Sequence, residues 1–243
     1  MSLARFKCLI TIFIEIGFSV KSLAAIIHAR TTSTRCPNKH LRDLGFGNTL
    51  IDVALNKLSS LSNLEEKYLA VHEKELAERV TDGVEVLHRD FDSIAPGEMH
   101  HSTYYAHLEN VKSDYIVNFN PCQPFSKLKN LQKCIDWFKN SDCDSAITVK
   151  KERNFYWDMK NRPVNFRLGD RLSTSSGPWL YSATHTLVFY RKEYMLTNWE
   201  LFSNKYDDPR PYVVEYDDIE LIDVDTEMDL QLVREVQKKQ RRL

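Results

Sequence analysis

The sequence predicts an α/β domain in three layers, with a mostly parallel central sheet between helices. Three observations carry this expectation. Residues 23–27, LAAII, form a short unbroken apolar run of the kind found in a strand buried on both faces. From there to residue 150, strand-like and helix-like segments alternate in the βαβ manner. The 243 residues, 42% hydrophobic and 28% charged, have ordinary globular composition and suffice for one large domain. The net charge of −1 excludes a chain-wide grip on nucleic acid, so any anion site must be local.

Before the first strand, Arg5 and Lys7 precede an apolar run over residues 8–20, which has a superficial likeness to a signal peptide. Glu15 and Gly17 interrupt the run, and it is too short to cross a bilayer. Residues 1–22 are therefore read as an N-terminal extension packed on the domain or as a start codon placed too early, and no membrane association is expected. Five cysteines, odd in number and without CxxC spacing, are expected to be reduced thiols in a cytoplasmic protein.

The first strand empties into a hydrophilic loop. Arg30, Arg35 and Lys39 are interleaved with the hydroxyls of Thr31, Thr32, Ser33 and Thr34, and Pro37 prevents a helix from continuing. Loops beyond the carboxyl ends of strands are where open α/β sheets bind ligands, and this one suits a polyphosphate. The plainer alternative is a set of solvated charges.

Downstream, Asn48 or Thr49 can cap a helix carrying Leu50, Val53, Ala54 and Leu58 at helical spacing. A strand over 67–71, a short helix over 73–80 and a strand over 84–88 follow, then a loop, a helix over 101–112 and a strand over 114–120. Pro121 and Pro124 bracket a rigid turn. Ser126 is expected to cap a helix whose buried face is Leu128, Leu131, Ile135 and Phe138. After a strand over 145–150 the periodicity fails across 151–178, and a loop this long is usually functional, although a β-hairpin insertion fits the pattern equally well. A strand over 184–191, a helix over 193–203 and strands over 212–216 and 219–224 complete the sheet. Thr226 and Asp229 make a capping box for a last helix bearing Met228, Leu232, Val233 and Val236. Its basic end, residues 238–242, offsets the helix dipole.

Residues 222–226 read Ile-Asp-Val-Asp-Thr. Side chains two apart on a strand share a face, so Asp223 and Asp225 would converge while Val224 enters the opposite layer. Two convergent carboxylates suit Mg²⁺, which takes oxygen ligands from one or two carboxylates plus phosphates and water. The alternative is that Asp225 helps cap the helix and Asp223 faces water.

The pattern A-R-x-x-S-x-R-x-P-x-K-x-L, carried by Ala29, Arg30, Ser33, Arg35, Pro37, Lys39 and Leu41, resembles the nucleotide-binding loop of sugar-activating cytidylyltransferases. The segment I-D-V-D-T-E-x-D-L from Ile222 to Leu230 is similar to the terminal motif of the same family. The nearest branch looks like the acylneuraminate cytidylyltransferases, or CMP-sialic acid synthetases. The resemblance spans residues 23–236, strong at both ends and loose between. It implies a Rossmann-like nucleotidyltransferase fold of the GT-A-like kind and transfer of CMP from CTP to an acidic, sialic-acid-like nonulosonate with release of pyrophosphate. It also implies a homodimer, and a substrate lid or dimerising excursion at 151–178.

Carried onto this chain, the resemblance assigns nucleotide binding to Ala29, Arg30, Thr31, Thr32, Ser33, Arg35, Lys39 and Arg89. It places Asn120 and Gln123 on the sugar side, Mg²⁺ on Asp223 and Asp225, and the catalytic roles on Arg30, Lys39 and Asp225. The departures are specific. Thr31 and Thr32 stand where two small residues, often glycines, are usual, and Thr34 replaces a lysine. In the family's Q-P-T-S-P turn, Asn120, Cys122 and Gln123 replace Gln, Thr and Ser. His40 stands for an asparagine, and His185-Thr186 for an Asn-Gly. They motivate a second reading, in which the fold binds a nucleotide or partner without turnover. Cys122 is expected to be inert, and His100, His101 and His107 to lie on a solvated loop and helix face. Phe155, Tyr156 and Trp157 could stack a base or a sugar, and packing in the core or lid fits them at least as well.

Overall fold

The strand at 23–28 becomes the centre of the molecule in a computed structural model, which describes residues 21–241 apart from 46, 96–98, 174, 176 and 204–207. The expectations for the N-terminal extension and for Cys8 lie outside the described residues. Seven strands form one sheet: β1 (Leu23–His28), β2 (Glu66–Val71), β3 (Glu85–His88), β4 (Tyr115–Phe119), β5 (Ala146–Arg153), β6 (Trp179–Arg191) and β7 (Arg210–Val213). Their order is β3-β2-β1-β4-β6-β5-β7. Within that sheet β6 alone runs against the others, pairing antiparallel with β4 and β5. The helices are α1 (Leu50–Ser60), α2 (Lys74–Ala77), α3 (His101–Tyr105), α4 (Leu128–Asn140), α5 (Lys192–Asn198) and α6 (Glu227–Gln240).

The apolar run of β1 is unbroken because both faces are covered. Leu23, Ala25 and Ile27 pack with α1 and α4, while Ala24 and Ile26 face Tyr105, Leu108 and Met195 in the other layer. A third cluster joins Cys36, Leu44 and Leu50 to Val224, Leu230 and Val233, which pins α6 against the segment that follows β1. Among the described residues no helix is long and apolar enough to cross a membrane.

Short-range signals held where they were strongest. Thr49 caps α1 in a reciprocal box with Asp52, and Thr226 caps α6 with Asp229. Several expectations are corrected. Ser126 does not cap α4. Its hydroxyl donates to the Gln123 carbonyl at 3.0 Å, and the buried Glu220 carboxylate instead accepts from the Lys127 amide at 2.9 Å. Leu128, in the first turn of α4, is 40% exposed, so the buried face starts at Leu131. In α6 the buried pair is Leu230 and Val233, whereas Met228 is 77% exposed. The helix presents to the third cluster the face that Cys36 and Leu44 leave uncovered, which its own periodicity does not reveal. The helix expected over 101–112 is α3 followed by a 3-10 turn, Ala106–Asn110. Residues 219–224 are not a strand: a 3-10 turn, Asp218–Leu221, precedes extended backbone.

The segment 151–178 takes the hairpin form. β5 and β6 pair out to Arg153 and Trp179, leaving the described residues between them as the tip of a long arm with a bridge between Trp157 and Pro163. The rings of Phe155 and Trp157 both meet Phe166 edge-on.

Candidate functional site

The parallel strands β1 and β4 end side by side, at His28 and Phe119. The polar segment after β1, the turn after β4, Arg89, Tyr104 and Asp225 enclose a cleft of about 280 Å³ beyond those ends. Asn38, with φ +55°, turns the chain so that Lys39 points back across it. The Lys39 ammonium donates to the Val224 carbonyl at 2.7 Å and to Asp225 Oδ1 at 3.0 Å. Arg35 reaches the other oxygen of Asp225 at 3.1 Å. The basic loop and Asp225, 186 residues from Lys39 in the chain, therefore share one gap. Asp223, expected to converge on the same point, lies against Asn120 and Gln123 and is not part of the cleft lining.

The acidic segment is held from behind. The Val224 amide donates to the Cys122 carbonyl at 2.9 Å, and Val224 is fully buried. Asp223 Oδ2 accepts from the Asn120 amide at 2.8 Å and more loosely from Gln123 at 3.4 Å. The side chain of Asp225 takes no part in capping α6, since Thr226 and Asp229 satisfy that end. The simpler reading of Asp225 as a cap thus falls away.

The other expected site residues divide into two groups. Arg30, Ser33, Thr34, Arg89 and Asn120 border the cleft, as does Ala29. Thr31 and Thr32 serve as braces: the Thr31 amide and hydroxyl donate to Glu73 at 2.6 and 2.8 Å, and the Thr32 hydroxyl donates to the Ile94 carbonyl at 2.7 Å. Neither has a positive φ, so the glycines usual in the family are not needed for backbone conformation here. Arg30 donates to the carbonyls of Ile94 and Ala95, at 3.3 and 3.0 Å. Gln123 is buried behind the turn, donating to the Thr184 carbonyl and accepting from the Thr186 hydroxyl. It orders Asp223 and lies away from the cleft surface.

Arg89 is buried, donates to the Ser93 carbonyl and stacks on the Tyr104 ring at 4.4 Å. Its Nε has no partner among the described residues. His107 is not on a solvated face. It is buried, and its Nε2 lies 3.0 Å from Nε2 of His28. Sequence reasoning missed His28 and Tyr104, both of which line the cleft. The place of His28 at the carboxyl end of the central strand was the available signal. A second cavity of about 230 Å³ adjoins the first, sharing His28, Tyr104, Asn120 and Pro121 with it and adding His185 and Val188. His185 has φ +52° within β6, strained backbone at a non-glycine residue in a strand. A roomier cavity of about 350 Å³ lies among Asp144, Arg191 and Glu193, away from these residues.

The electrostatics follow from burial. Desolvation pushes the Cys122 thiol up to about 11 despite Lys39 beside it, so the thiol stays neutral and inert. Burial opposes the charge of Lys39, yet Cys122 and Asp225 together lift its pKa above the ordinary value. His40, fully enclosed and next to Lys39, is pushed down to about 3 and stays neutral. Burial raises Asp223, with Asn120 pulling the other way and the Asp225 charge adding to the rise. A carboxyl raised in the folded state makes stability increase as pH falls through that raised value towards the unfolded one, and its ionisation costs stability above it. Asp223→Asn, which keeps an oxygen acceptor, should therefore raise the melting temperature of the ligand-free protein at neutral pH and flatten its pH dependence below. Thermal melts from pH 4 to 8 check this, and an unchanged profile would contradict the assigned burial cost.

The donor set has the chemistry for Mg²⁺. Asp223 Oδ1 has no hydrogen-bond partner among the described residues, and both oxygens of Asp225 face cations that can exchange onto phosphate. Among the described residues no group of three or more His, Cys, Asp or Glu could hold a metal unaided. The pair thus fits an ion that takes its remaining ligands from a nucleotide and water.

The fold is that of the α/β nucleotidyltransferases, with a cleft of basic and hydroxyl side chains at the carboxyl edge of its sheet. The chain belongs to the cytidylyltransferase family, whose model matches residues 24–242. It is 29% identical over 132 residues to a 3-deoxy-manno-octulosonate cytidylyltransferase of Rickettsia felis, covering 54% of this chain and 53% of that one. A second such enzyme, from Rickettsia peacockii, is 31% identical over 135 residues, covering 54% and 53%. The chain spans about half the length of the curated relatives it matches.

Among solved structures it is similar to a CMP:2-keto-3-deoxy-manno-octonic acid synthetase complexed with CTP, with TM-score 0.66, 14% identity and coverage of 90% of this chain and 99% of that one. A 4-diphosphocytidyl-2C-methyl-D-erythritol synthase from Anaerococcus prevotii matches with TM-score 0.59 and 14% identity, covering 90% and 96%. At that identity these two establish the fold. The broader expectation of a CMP-sugar synthetase family is met, while the relatives named here do not single out the acylneuraminate branch.

Proposed function

We propose that this protein transfers CMP from CTP to an acidic ulosonic sugar and releases pyrophosphate. The observation that carries this reading is the meeting of Lys39 and Arg35 with Asp225 across the cleft. A triphosphate entering it would exchange those contacts for its own oxygens, with Arg30, Ser33 and the buried Arg89 on the same wall. Mg²⁺ on Asp223 and Asp225, when bound, would neutralise and polarise the phosphoryl oxygens of the transferred group. Arg30 and Lys39 would offset the charge where pyrophosphate departs, Asp225 would act through the metal, and no side-chain nucleophile is required. The adjoining cavity, with Asn120 and His185 on its walls, has the place of the acceptor.

The relatives are named for an octulosonate, and the sequence motifs suggested a sialic-acid-like nonulosonate. Both are acidic ulosonic sugars, and a panel containing each separates them. The same proposal includes a homodimer formed through the β5–β6 arm, where Met159 and Leu168 are largely exposed. It also includes a cytoplasmic location, in keeping with the buried, unpaired thiols of Cys36, Cys122, Cys134 and Cys143.

Pyrophosphate release is the test, with each nucleoside triphosphate offered Mg²⁺ and the sugar panel. The expected result is release with CTP and one acidic sugar, dependent on Mg²⁺. Tight CTP binding in thermal-shift or calorimetric titration, without release on any sugar, would favour the second reading of a binding protein that has lost turnover.

A further inference from the structure

Four residues border both cavities: His28, Tyr104, Asn120 and Pro121. A group that takes the proton from an attacking hydroxyl must stand at such a junction, touching the acceptor on one side and the phosphate on the other. Of the four, His28 alone carries a side-chain nitrogen lone pair able to accept that proton. The nearby acidic groups are engaged or set apart. Asp225 is tied to Lys39 and Arg35. Asp223, whose Oδ2 accepts from Asn120 and Gln123 and whose Oδ1 has no hydrogen-bond partner among the described residues, lines neither cavity.

His28 is also held for the task. Its ring sits 5.5 Å from that of Tyr104 and 5.9 Å, edge-on, from that of Tyr105, which fixes its plane. Its Nε2 meets Nε2 of His107 at 3.0 Å, so one ring must donate and the other accept. His107 Nδ1 is buried beside the Tyr104 backbone without a hydrogen-bond partner among the described residues, and the tautomer taken for the proposal puts the His107 proton on that nitrogen. With that proton on Nδ1, His107 accepts at Nε2 and His28 donates from its own Nε2. The remaining nitrogen of His28, Nδ1, is then an unprotonated acceptor, and it has no hydrogen-bond partner among the described residues.

We propose that His28 is the general base of the transfer, with His107 as the positioning residue that sets its tautomer. The proposal rests on the cytidylyltransferase reading above. In the step, the acceptor hydroxyl gives its proton to His28 Nδ1 while its oxygen forms the bond to the α-phosphorus. The α–β phosphoanhydride bond breaks, and pyrophosphate leaves with the electron pair. The imidazolium then returns the proton to solvent or to the departing pyrophosphate. In the ligand-free cleft, burial, His107 and Arg89 keep the ring neutral and ready to accept. Arg30 and Lys39 across the cleft act in the same sense, while Asp225 and a bound triphosphate oppose them and favour the imidazolium as it forms.

Two measurements test this independently. In ¹⁵N-histidine spectra, assigned with His28→Gln, His28 should appear as the neutral Nε2–H tautomer. A signal from the Nδ1–H tautomer overturns the proposal whatever the turnover. With a sugar on which the native enzyme releases pyrophosphate, His28→Ala should lose about 10²- to 10⁴-fold in kcat, with the KM for CTP within about threefold. Added imidazole should restore about tenfold or more of that loss, which a packing role would not allow. His28→Gln, which retains a link to His107, should show the same loss if the alanine variant fails to fold. A kcat within about threefold of native in the folded variants, or a loss that imidazole leaves untouched, overturns the assignment. Absence of release by the native enzyme on every sugar counts against the cytidylyltransferase reading, and the tautomer result still decides whether His28 presents an acceptor.

Discussion

Asp225→Asn is expected to lower Mg²⁺-dependent pyrophosphate release by about a thousandfold or more while leaving the fold intact. The substitution preserves shape and removes the charge. That charge currently balances Lys39 and Arg35, and in turnover it would hold the metal with Asp223. Stability should change little, because the α6 cap belongs to Thr226 and Asp229 and the Asp225 side chain is 41% exposed. Steady-state pyrophosphate assays paired with thermal melts give the two readouts. A folded variant with near-native rates would remove Asp225 from the metal site and leave the acidic segment as a structural clasp.

Lys39→Met should weaken CTP binding by about ten- to a hundredfold, and it should also destabilise the protein by about 1–3 kcal/mol. The two effects have separate causes. On the proposed reading affinity falls because a buried cation available to the phosphates is lost, its side chain being only 11% exposed. Stability falls because the Val224 carbonyl loses its donor in a closed space and Asp225 keeps only the exposed Arg35. Calorimetric CTP titration reads the first effect and urea denaturation the second. Unchanged affinity with lowered stability would make Lys39 a strut between the two motifs and nothing more.

The threonines after Arg30 show how a departure from a family pattern is resolved by structure. In sequence, Thr31 and Thr32 raised doubt about backbone freedom and close approach. In the fold they sit at negative φ, and their hydroxyls tie the segment to Glu73 and to the Ile94 carbonyl. Both partners in that bracing lie more than 40 residues downstream, beyond the reach of any local pattern. Rigidity conferred by hydroxyls replaces flexibility conferred by glycine.

Much of the architecture was legible because its causes are local. An apolar run long enough for one strand, alternation of strand and helix, and capping boxes at Thr49 and Thr226 act over a few residues. The two charged motifs were legible for the same reason, since each is a contiguous segment with its chemistry exposed in order. Long-range packing decided the rest. Glu220, far from α4 in the chain, supplies the cap that Ser126 does not, and the third hydrophobic cluster selects Leu230 and Val233 over Met228 and Leu232. His28 and His107 form a pair only because β1 and the 3-10 turn at 106–110 are brought within 3.0 Å. Side-chain periodicity tells which residues can be buried, but only the positions of the neighbouring elements determine which of them are covered and which acids and bases meet.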